Sequence, residues 1–308
     1  MKQGTWAWVA SVATCLGALA ILGGFVGSYH AAGDSLAVFR VPIAIGTLVG
    51  AIAALVTGAR LIGMGGLCAG ILALATVFPH WVSFTGRVQA SEAVIAVYQK
   101  NLWFRLPDPA EIVADIRGSG ADIVTLQEVG PRTEPVLAAL RDIYPVQRIC
   151  PSFRVGGAAV LSRLPEVPGS GGCKEGLGLA TVALETPDGP ILAASVHLHW
   201  PWPHSQAEQI EVLSNVMQEW DSPAIIGGDF NMVRWSHALR TIGRASRTAP
   251  IGPARVTLRN KRFLLNLSID HVLASGGRGT TVLRPRAGSD HHGLLARIAV
   301  QHNYATRP

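Results

Sequence analysis

Three long apolar stretches occupy the first 81 residues of the chain, and a segment of mixed polarity follows them. The stretches run approximately from Thr5 to Tyr29, from Leu36 to Val56 and from Leu61 to Trp81. A helix needs about 20 apolar residues to cross a bilayer, and each stretch reaches that length. The pattern therefore predicts three transmembrane helices. The alternative is that the first stretch is a cleaved signal peptide, so that two helices remain.

The pattern changes after about residue 93, where short strand-like runs alternate with segments of helical spacing. One helix is predicted to begin after Asp108-Pro109 and to end near Gly118, and two more cover Thr133–Ile143 and Ser205–Trp220. Strands are predicted at Ala93–Tyr98, Asp122–Leu126, Ala158–Leu161, Thr181–Glu185, Ile191–His197, Ala224–Ile226, Leu267–Ala274 and Leu294–Val300. We therefore predict an α/β domain after the membrane helices.

Composition separates the same two parts of the chain. Hydrophobic residues make up 49% of the 308 residues and charged residues only 15%, whereas a soluble globular protein has about 25% charged residues. Only four of the 26 Lys and Arg residues and one of the 20 acidic residues lie within residues 1–90. This excludes an ordinary soluble enzyme over the whole length, and the many apolar residues exclude intrinsic disorder. We predict a membrane anchor over residues 1–90 and a globular domain over residues 91–308.

Basic residues and cysteines bear on the orientation in the membrane. Lys2 precedes the first predicted helix and Arg60 lies between the second and third. The positive-inside rule then favours a cytoplasmic N-terminus and a globular domain outside the cytoplasmic membrane. Arg40 and Arg87 count against this orientation. Cys150 and Cys173, the two cysteines of the globular domain, are compatible either with a disulfide in an oxidising compartment or with two free thiols.

Polar side chains follow several of the predicted strands, at or near the point where each strand ends. Carboxylates are the ligands that bind a hard divalent cation such as Mg²⁺, and the cation neutralises phosphoryl oxygens. An Asp beside a His fixes the tautomer of the imidazole and raises its basicity. The residues concerned are Asn101, Glu128, His197, Asp229, Asn231, Asp270, Asp290 and His291. Polar groups at strand ends are how α/β proteins build a site in a shared crevice, so these residues are candidates for such a site.

The motifs around these residues, taken in order, resemble the endonuclease/exonuclease/phosphatase family. That family includes deoxyribonuclease-I-like nucleases, abasic-site endonucleases, inositol polyphosphate phosphatases and neutral sphingomyelinases. The resemblance covers residues 93–302, and its most specific parts are Gly228-Asp229-Phe230-Asn231 and Ser289-Asp290-His291. It implies a four-layer α/β sandwich with two packed sheets. It also implies in-line attack of water on phosphorus, without a covalent enzyme intermediate.

The resemblance implies a metal site as well. Glu128 would be the main ligand of Mg²⁺, with Mn²⁺ as a possible substitute. Asn101 and Asp290 would help to hold the metal or its waters.

The remaining residues would act on the substrate. Asp229 would orient or deprotonate the attacking water, and Asn231 would position the phosphate. His197 and His291 would contact the phosphate and stabilise developing charge. Asp270 would orient one of these two histidines.

Two departures from the family pattern narrow the substrate. Abasic-site endonucleases carry a Tyr about seven residues before the Ser of the Leu-Ser-Arg motif and an Asp two residues after the first Asn. Val155 and Trp103 stand at these places here, so we do not expect a specialised abasic-site enzyme. The apolar first third is foreign to secreted nucleases and resembles the membrane-anchored bacterial branch of the family. That branch implies a multi-pass protein of the bacterial cytoplasmic membrane.

Charge leaves the substrate class open. From Met232 onward the chain holds 13 Lys and Arg residues against two acidic residues. A basic surface attracts the phosphates of nucleic acid and of anionic lipid alike. The first expectation is a membrane-tethered nuclease. The alternatives are a phosphodiesterase or phosphatase acting on phospholipid or inositol-phosphate headgroups, and a non-catalytic membrane scaffold.

Overall fold

The N-terminal part of the chain consists of apolar helices. The computed structural model describes residues 2–82, 94–152, 155–260 and 265–300, so the predicted boundary between residues 90 and 91 lies outside the described residues. The helices are α1 (Lys2–Gly23), α2 (Ala32–Val38), α3 (Arg40–Val56) and α4 (Arg60–Trp81). Two of them, α1 and α4, are long and apolar enough to cross a membrane. The bent pair α2–α3 is a third if it counts as one span.

The second predicted helix, Leu36–Val56, is not continuous. The chain bends by 71° between α2 and α3, and the first helix ends at Gly23 rather than near Tyr29. Two contacts account for the bend. The guanidinium of Arg40 donates to the carbonyl of Gly24 at 2.5 Å, which fixes the start of α3 against the end of α1. The indole of Trp235, in the α/β part, donates to the carbonyl of Ala37 at 2.7 Å and holds α2 in place.

Small residues let the long helices pack closely. A Cβ atom at Gly17 would collide with the side chain of Thr47, and one at Gly66 would collide with Thr14 and Ala51. Close approach at small residues is the usual means of helix packing in a bilayer. Large apolar side chains face outward instead, as Leu61 and Val56 do, each 82% exposed.

The α/β part contains two six-stranded sheets and a small hairpin. The first sheet has the order β13-β14-β1-β2-β4-β3 and the second the order β5-β6-β7-β8-β12-β9. The strands are β1 (Ile95–Asn101), β2 (Ile123–Val129), β3 (Val146–Cys150), β4 (Gly157–Ser162), β5 (Gly172–Lys174), β6 (Leu179–Leu184), β7 (Ile191–His197), β8 (Ala224–Asp229), β9 (Ala249–Pro250), β10 (Leu258–Asn260), β11 (Leu265–Leu267), β12 (Asp270–Ala274), β13 (Arg278–Leu283) and β14 (Leu294–Ala299). Strands β10 and β11 form the hairpin.

Two helices accompany each sheet, so the predicted four-layer sandwich is confirmed. They are α5 (Ala110–Ser119) and α6 (Glu134–Ala139) in the first half, and α7 (Gln206–Gln218) and α8 (His237–Ala245) in the second. One apolar core lies between the sheets and includes Val97, Ile225 and Val272. Separate cores lie under the first pair of helices and under the second pair. The core under α7 and α8 also includes Ala37, Val38 and Val77, so it is continuous with the apolar helices.

The two sheets approach each other closely near the carboxyl end of β8. A Cβ atom at Gly227 would collide with the side chain of Thr125 on β2, so only glycine fits there. Because β2 and β8 belong to different sheets, the residues that follow Thr125 and Gly227 are brought together across the sandwich. These residues include Glu128 and Asp229.

A disulfide joins Cys150 to Cys173, with the two Cα atoms 5.1 Å apart. The sequence left open a disulfide or two free thiols, and the structure has the disulfide. Cys150 ends β3 and Cys173 lies in β5, which are edge strands of different sheets. The bond thus fastens the two sheets together at one edge.

Candidate active site

Strand pairing brings the predicted site residues to one end of the sandwich. Strands β1 and β2 are parallel, with Asn101 beside Gln127, so Asn101 and Glu128 leave the first sheet together. Strands β7 and β8 are also parallel, with His197 beside Asp229. Strand β12 runs antiparallel to β8 and places Asp270 opposite Asp229.

The side-chain amide of Asn101 links the two sheets. Its Nδ2 atom donates to Oε1 of Glu128 at 3.0 Å and to Oδ2 of Asp229 at 2.9 Å. The other carboxylate oxygen of Glu128 accepts from the backbone N–H of Phe104 at 2.7 Å. Asn101 itself is held by its Oδ1 atom, which accepts from the backbone N–H of Trp103 at 2.9 Å. Asn101 therefore sets the spacing between Glu128 and Asp229.

Asp270 contacts His291, which identifies the histidine that it orients. Oδ2 of Asp270 lies 2.7 Å from Nδ1 of His291, and the Nε2 atom of the imidazole lies 3.8 Å from Oδ2 of Asp229. His197 lies near the same oxygen of Asp229, with its Nε2 atom at 3.9 Å. Asp229 is thus flanked by two imidazoles and bonded to one amide.

Burial and neighbouring charges separate the pKa values of these groups. Burial raises the pKa of the Asp229 carboxyl to about 7, and the nearby Asp270 carboxylate adds to the effect. Burial alone would lower the pKa of His291, but the carboxylates of Asp270 and Asp229 outweigh it and raise that pKa to about 10. Burial lowers the pKa of His197. At neutral pH the site therefore holds a cationic His291, a neutral His197 and a carboxyl group poised to accept or release a proton.

Three residues of the site adopt a left-handed backbone conformation that only glycine adopts easily. Their φ angles are 65° at Trp103, 59° at Glu128 and 48° at Asn231. At Glu128 the pairing of β2 with β4 also shifts register, between Gln127 and Val129. Such conformations persist where the surrounding structure over-determines them, and they are enriched at functional sites.

The donor chemistry fits a divalent cation at Glu128. Burial raises the pKa of this carboxyl group, which means that its charged form lacks a sufficient counter-charge. Oδ1 of Asp290 is buried, and the described residues supply no hydrogen-bond partner for it. Carboxylate oxygens in this state suit Mg²⁺. Asp229, Asp270 and His291 offer three other ligand atoms, which lie within 4.8 Å of one another. However, Asp270 and His291 already form a hydrogen bond to each other.

The other predicted residues also lie in this region. The backbone N–H of Asn231 donates to Oδ1 of Asp229 at 2.9 Å, and Nδ2 of Asn231 donates to the carbonyl of Leu198 at 2.7 Å. Asp290 precedes His291, and its Oδ1 atom lies 4.0 Å from Nε2 of that imidazole. The structure therefore brings together all eight residues that the sequence singled out.

Sequence reasoning missed two supporting residues on β1. Nε2 of Gln99 donates to Oδ1 of Asp270 at 3.1 Å and so holds the carboxylate that contacts His291. Nζ of Lys100 donates to the carbonyls of Pro285, Arg286 and His291 at 3.0, 2.7 and 2.8 Å, which fixes the loop that carries Asp290. Both side chains are fully buried. The available signal was the run of polar residues that interrupts an apolar strand just before Asn101.

The fold and the site together define a two-sheet α/β sandwich with buried acids and histidines at one end. The model of the Endonuclease/Exonuclease/phosphatase family matches residues 99–291. This match spans more than half of the chain and includes every predicted site residue. The chain belongs to the endonuclease/exonuclease/phosphatase family.

Solved structures agree in fold. A double mutant of beta toxin from Staphylococcus aureus, with bound magnesium ions, is 11% identical, with a TM-score of 0.52 over 68% of this chain and 100% of that one. TDP2 from D. rerio, humanized by 14 mutations, is 15% identical, with a TM-score of 0.53 over 66% and 98%. The endonuclease domain of TRAS1, a telomere-specific non-LTR retrotransposon, is 16% identical, with a TM-score of 0.50 over 68% and 100%. No curated protein matches the chain significantly.

Proposed function

We propose that the protein is a membrane-anchored, metal-dependent phosphodiesterase with an anchor over residues 1–90 and a hydrolase domain over residues 91–308. The observation that carries this proposal is the position of Asp229. Its carboxylate bonds Asn101 at 2.9 Å and lies within 4 Å of the imidazoles of His197 and His291. A base flanked by one cationic and one neutral imidazole suits attack of water on a phosphoester.

Each residue has a role in the proposed reaction. Asp229, whose pKa of about 7 suits a general base, accepts a proton from the attacking water. His291 is held as an imidazolium by Asp270 and binds a phosphoryl oxygen as negative charge develops. His197, whose Nε2 atom lies 3.9 Å from Asp229, also contacts the phosphate, and Asn231 positions it.

Glu128, Asn101 and Asp290 would hold a divalent cation, Mg²⁺ or Mn²⁺. When bound, the cation supplies positive charge that neutralises phosphoryl oxygens. Glu128 offers two carboxylate oxygens that each accept one hydrogen bond and keep lone pairs free. Asn101 orients Glu128 against Asp229, so it aligns the metal-binding part of the site with the base.

A nucleic acid is the first candidate substrate, and the charge distribution is compatible with it. The 13 basic residues after Met232 outnumber the two acidic residues there, and those two, Asp270 and Asp290, belong to the site itself. Phosphate-rich polymers bind such surfaces through their backbone charge. We therefore propose a nuclease as the first assignment.

A lipid headgroup is the second candidate, and one contact favours it. The loop that follows His197 carries Trp202, whose carbonyl accepts from the hydroxyl of Ser35 at 2.7 Å. The indole of Trp202 lies 6.2 Å from the ring of His30, between α1 and α2. The loop that follows His197 therefore contacts the apolar helices, so a phospholipid headgroup would be available beside this loop. A non-catalytic scaffold would not need the buried acids and imidazoles.

The test uses the full-length protein in detergent with Mg²⁺ or Mn²⁺. Plasmid DNA, single-stranded oligonucleotide, RNA, inositol phosphates and phospholipid vesicles are assayed side by side with the wild type and Asp229→Ala. The control is Asp188→Ala, at an exposed turn outside the site. Nucleic-acid cleavage that Asp229→Ala alone abolishes supports a nuclease, and headgroup release alone supports the lipid assignment. Equal activity in Asp229→Ala and the control contradicts the site.

We further propose that the hydrolase domain lies outside the bacterial cytoplasmic membrane. The disulfide between Cys150 and Cys173 supports an oxidising compartment, and the positions of Lys2 and Arg60 support a cytoplasmic N-terminus. An alkaline phosphatase fusion after Pro308 is expected to be active. An inactive fusion that is still inserted in the membrane would put the domain in the cytoplasm.

A further inference from the structure

A cavity of about 400 Å³ lies where the apolar helices meet the α/β part. It is separate from the eight residues of the candidate active site. Its walls are the end of α4, one face of α8 and the segment that leads into β9. The residues that define it are Pro79, His80, Arg234, Arg240, Arg244 and Pro250. The size falls within the range of small-molecule sites, about 300–1,000 Å³.

The cavity is rich in positive charge. Arg240 and Arg244 are one helical turn apart on α8, and their side chains are exposed. Arg240 donates to the carbonyl of Trp235 at 2.8 Å, and Arg244 has no side-chain partner among the described residues. No carboxylate in the described part of the chain lies within 4.0 Å of either guanidinium. Two positive charges that face one cavity without a counter-ion repel each other, and a bound anion would offset this repulsion.

A third guanidinium forms the back of the cavity. Arg234 is only 6% exposed, and it donates to the carbonyls of Gly252 and Ile251 rather than to an acid. Burial, followed by the nearby charge of Arg255, lowers its pKa to about 10, so it remains charged at neutral pH. A buried charge without an ionic partner is costly, and a bound anion would offset that cost.

A fourth guanidinium, that of Arg40 on α3, interacts electrostatically with Arg240. Asp34 offsets part of this charge. Its two carboxylate oxygens accept from the backbone N–H groups of His237 and Ala238 at 2.7 and 2.8 Å. One carboxylate against four guanidiniums leaves this group of side chains with an excess of positive charge.

The position of the cavity identifies the source of the anion. The cavity is bounded by Pro79 and His80, in the last turn of α4, where this candidate span ends. The backbone carbonyl of His80 accepts from the N–H of Ala254 at 2.7 Å, so the end of the span is fixed to the α/β part. Trp81 and Trp235 lie side by side, 6.4 Å between ring centroids. Tryptophan is typical of the level of lipid headgroups.

From this geometry we infer that the cavity binds the phosphate group of an anionic phospholipid, with Arg240 and Arg244 as the direct ligands and Arg234 as a buried third charge. Basic pockets beside transmembrane helices bind headgroups of this kind. The inference rests on the proposed membrane anchoring but not on the proposed hydrolase activity. The bound lipid would fix the α/β part at a set height and angle above the bilayer.

The test measures lipid retention by the full-length protein. The protein is purified in detergent, incubated with an equimolar mixture of phosphatidylglycerol and phosphatidylcholine, and examined by native mass spectrometry. The wild type is expected to retain phosphatidylglycerol selectively. Arg240→Gln/Arg244→Gln removes two exposed charges and is expected to weaken this retention by roughly tenfold or more. The matched control, Arg141→Gln/Arg297→Gln, removes two exposed charges elsewhere and is expected to behave like the wild type.

Each outcome decides the matter. Equal retention of the two lipids by the wild type, or undiminished selectivity in Arg240→Gln/Arg244→Gln, overturns the inference. In a parallel experiment, the unfolding temperature of the protein is measured with inorganic phosphate and, separately, with phosphatidylglycerol. If inorganic phosphate alone raises the unfolding temperature as much as phosphatidylglycerol does, the site binds free phosphate and the inference of a lipid ligand is wrong. Because retention needs no catalysis, loss of hydrolysis in Asp229→Ala leaves this result unchanged.

Discussion

The carboxylate of Asp34 caps helix α8 at His237, a residue 203 positions further along the chain. Oδ1 of Asp34 accepts from the backbone N–H of His237 at 2.7 Å, and Oδ2 accepts from that of Ala238 at 2.8 Å. The next N–H, of Leu239, is bonded to the hydroxyl of Ser236 at 3.0 Å. The first turn of α8 therefore depends on a side chain from the apolar helices. The α/β part is docked on those helices rather than merely tethered to them.

Asp34→Ala is expected to lower the free energy of unfolding by about 1–2 kcal/mol. The reason is that two backbone N–H donors lose their acceptor, and the positive N-terminal end of the helix dipole loses a negative charge. The measurement is thermal unfolding of the full-length protein in detergent, with hydrogen exchange followed over α8. Exchange over α8 should rise more than exchange over α5. Asp188→Ala, at an exposed turn, should change neither quantity. Unchanged protection of α8 in Asp34→Ala would show that the cap is dispensable.

Asp270→Asn is expected to reduce kcat by roughly 10²–10³-fold, the usual range for loss of one group that stabilises developing charge. The reason is that Oδ2 of Asp270 accepts from Nδ1 of His291 at 2.7 Å and holds the positive charge on that imidazole. Kinetics on the substrate identified in the panel measure the change. The circular dichroism spectrum should stay the same, since the amide has the same size. Activity close to that of the wild type would mean that His291 does not need its partner.

The sequence was sufficient for the fold class, and the eight candidate site residues that it singled out lie together in the structure. The α/β pattern follows from short-range information, and the order of the motifs supplied the resemblance that implied the two-sheet sandwich. For example, the sequence predicted a strand over Ala224–Ile226 that leads into the Gly-Gly-Asp segment. The structure extends this strand to Asp229 and adds the reason for Gly227, which is contact with Thr125 of the other sheet.

Long-range contacts could not be predicted in this way. The 71° bend before α3 and the capping of α8 by Asp34 involve partners from distant parts of the chain. Local periodicity contains no information on such partners, so Leu36–Val56 was predicted as one helix. Lys100 was missed for a similar reason, because its three carbonyl acceptors lie 185 to 191 residues away.

Lys100→Met is expected to destabilise the protein by about 2 kcal/mol, since the three carbonyls that Nζ now contacts would lose this donor, and the contact with the carbonyl of His291 is buried. Activity should fall as well, because the same contacts fix the loop that carries Asp290 and His291. Urea unfolding and steady-state kinetics measure the two effects. Lys174→Met, at an exposed position, should leave both unchanged. A Lys100→Met protein of normal stability and activity would show that the loop holds its shape unaided.

Reduction of the disulfide between Cys150 and Cys173 is expected to lower the free energy of unfolding by about 3 kcal/mol. The bond closes a loop of 23 residues, and a cross-link of this length restricts the unfolded chain by about that amount. The measurement compares thermal unfolding of the full-length protein with and without a thiol reductant. Cys150→Ser/Cys173→Ser should reproduce the reduced protein and respond no further to reductant. A wild-type protein that is indifferent to reductant would argue against a bond between the two sheets.

Glu128→Gln is expected to weaken Mn²⁺ binding by roughly tenfold or more, because the neutral amide is a poorer ligand for a hard cation than a carboxylate. The fold should be retained, since the backbone at Glu128 is also held by its own carbonyl, which accepts from the hydroxyl of Thr133 at 2.9 Å. Isothermal titration of the full-length protein with Mn²⁺ measures the affinity without any substrate. Glu134→Gln, an exposed acid six residues further on, provides the matched control. If both variants bind Mn²⁺ as the wild type does, the metal is held elsewhere. The trio of Asp229, Asp270 and His291 would then be the next set of ligands to vary.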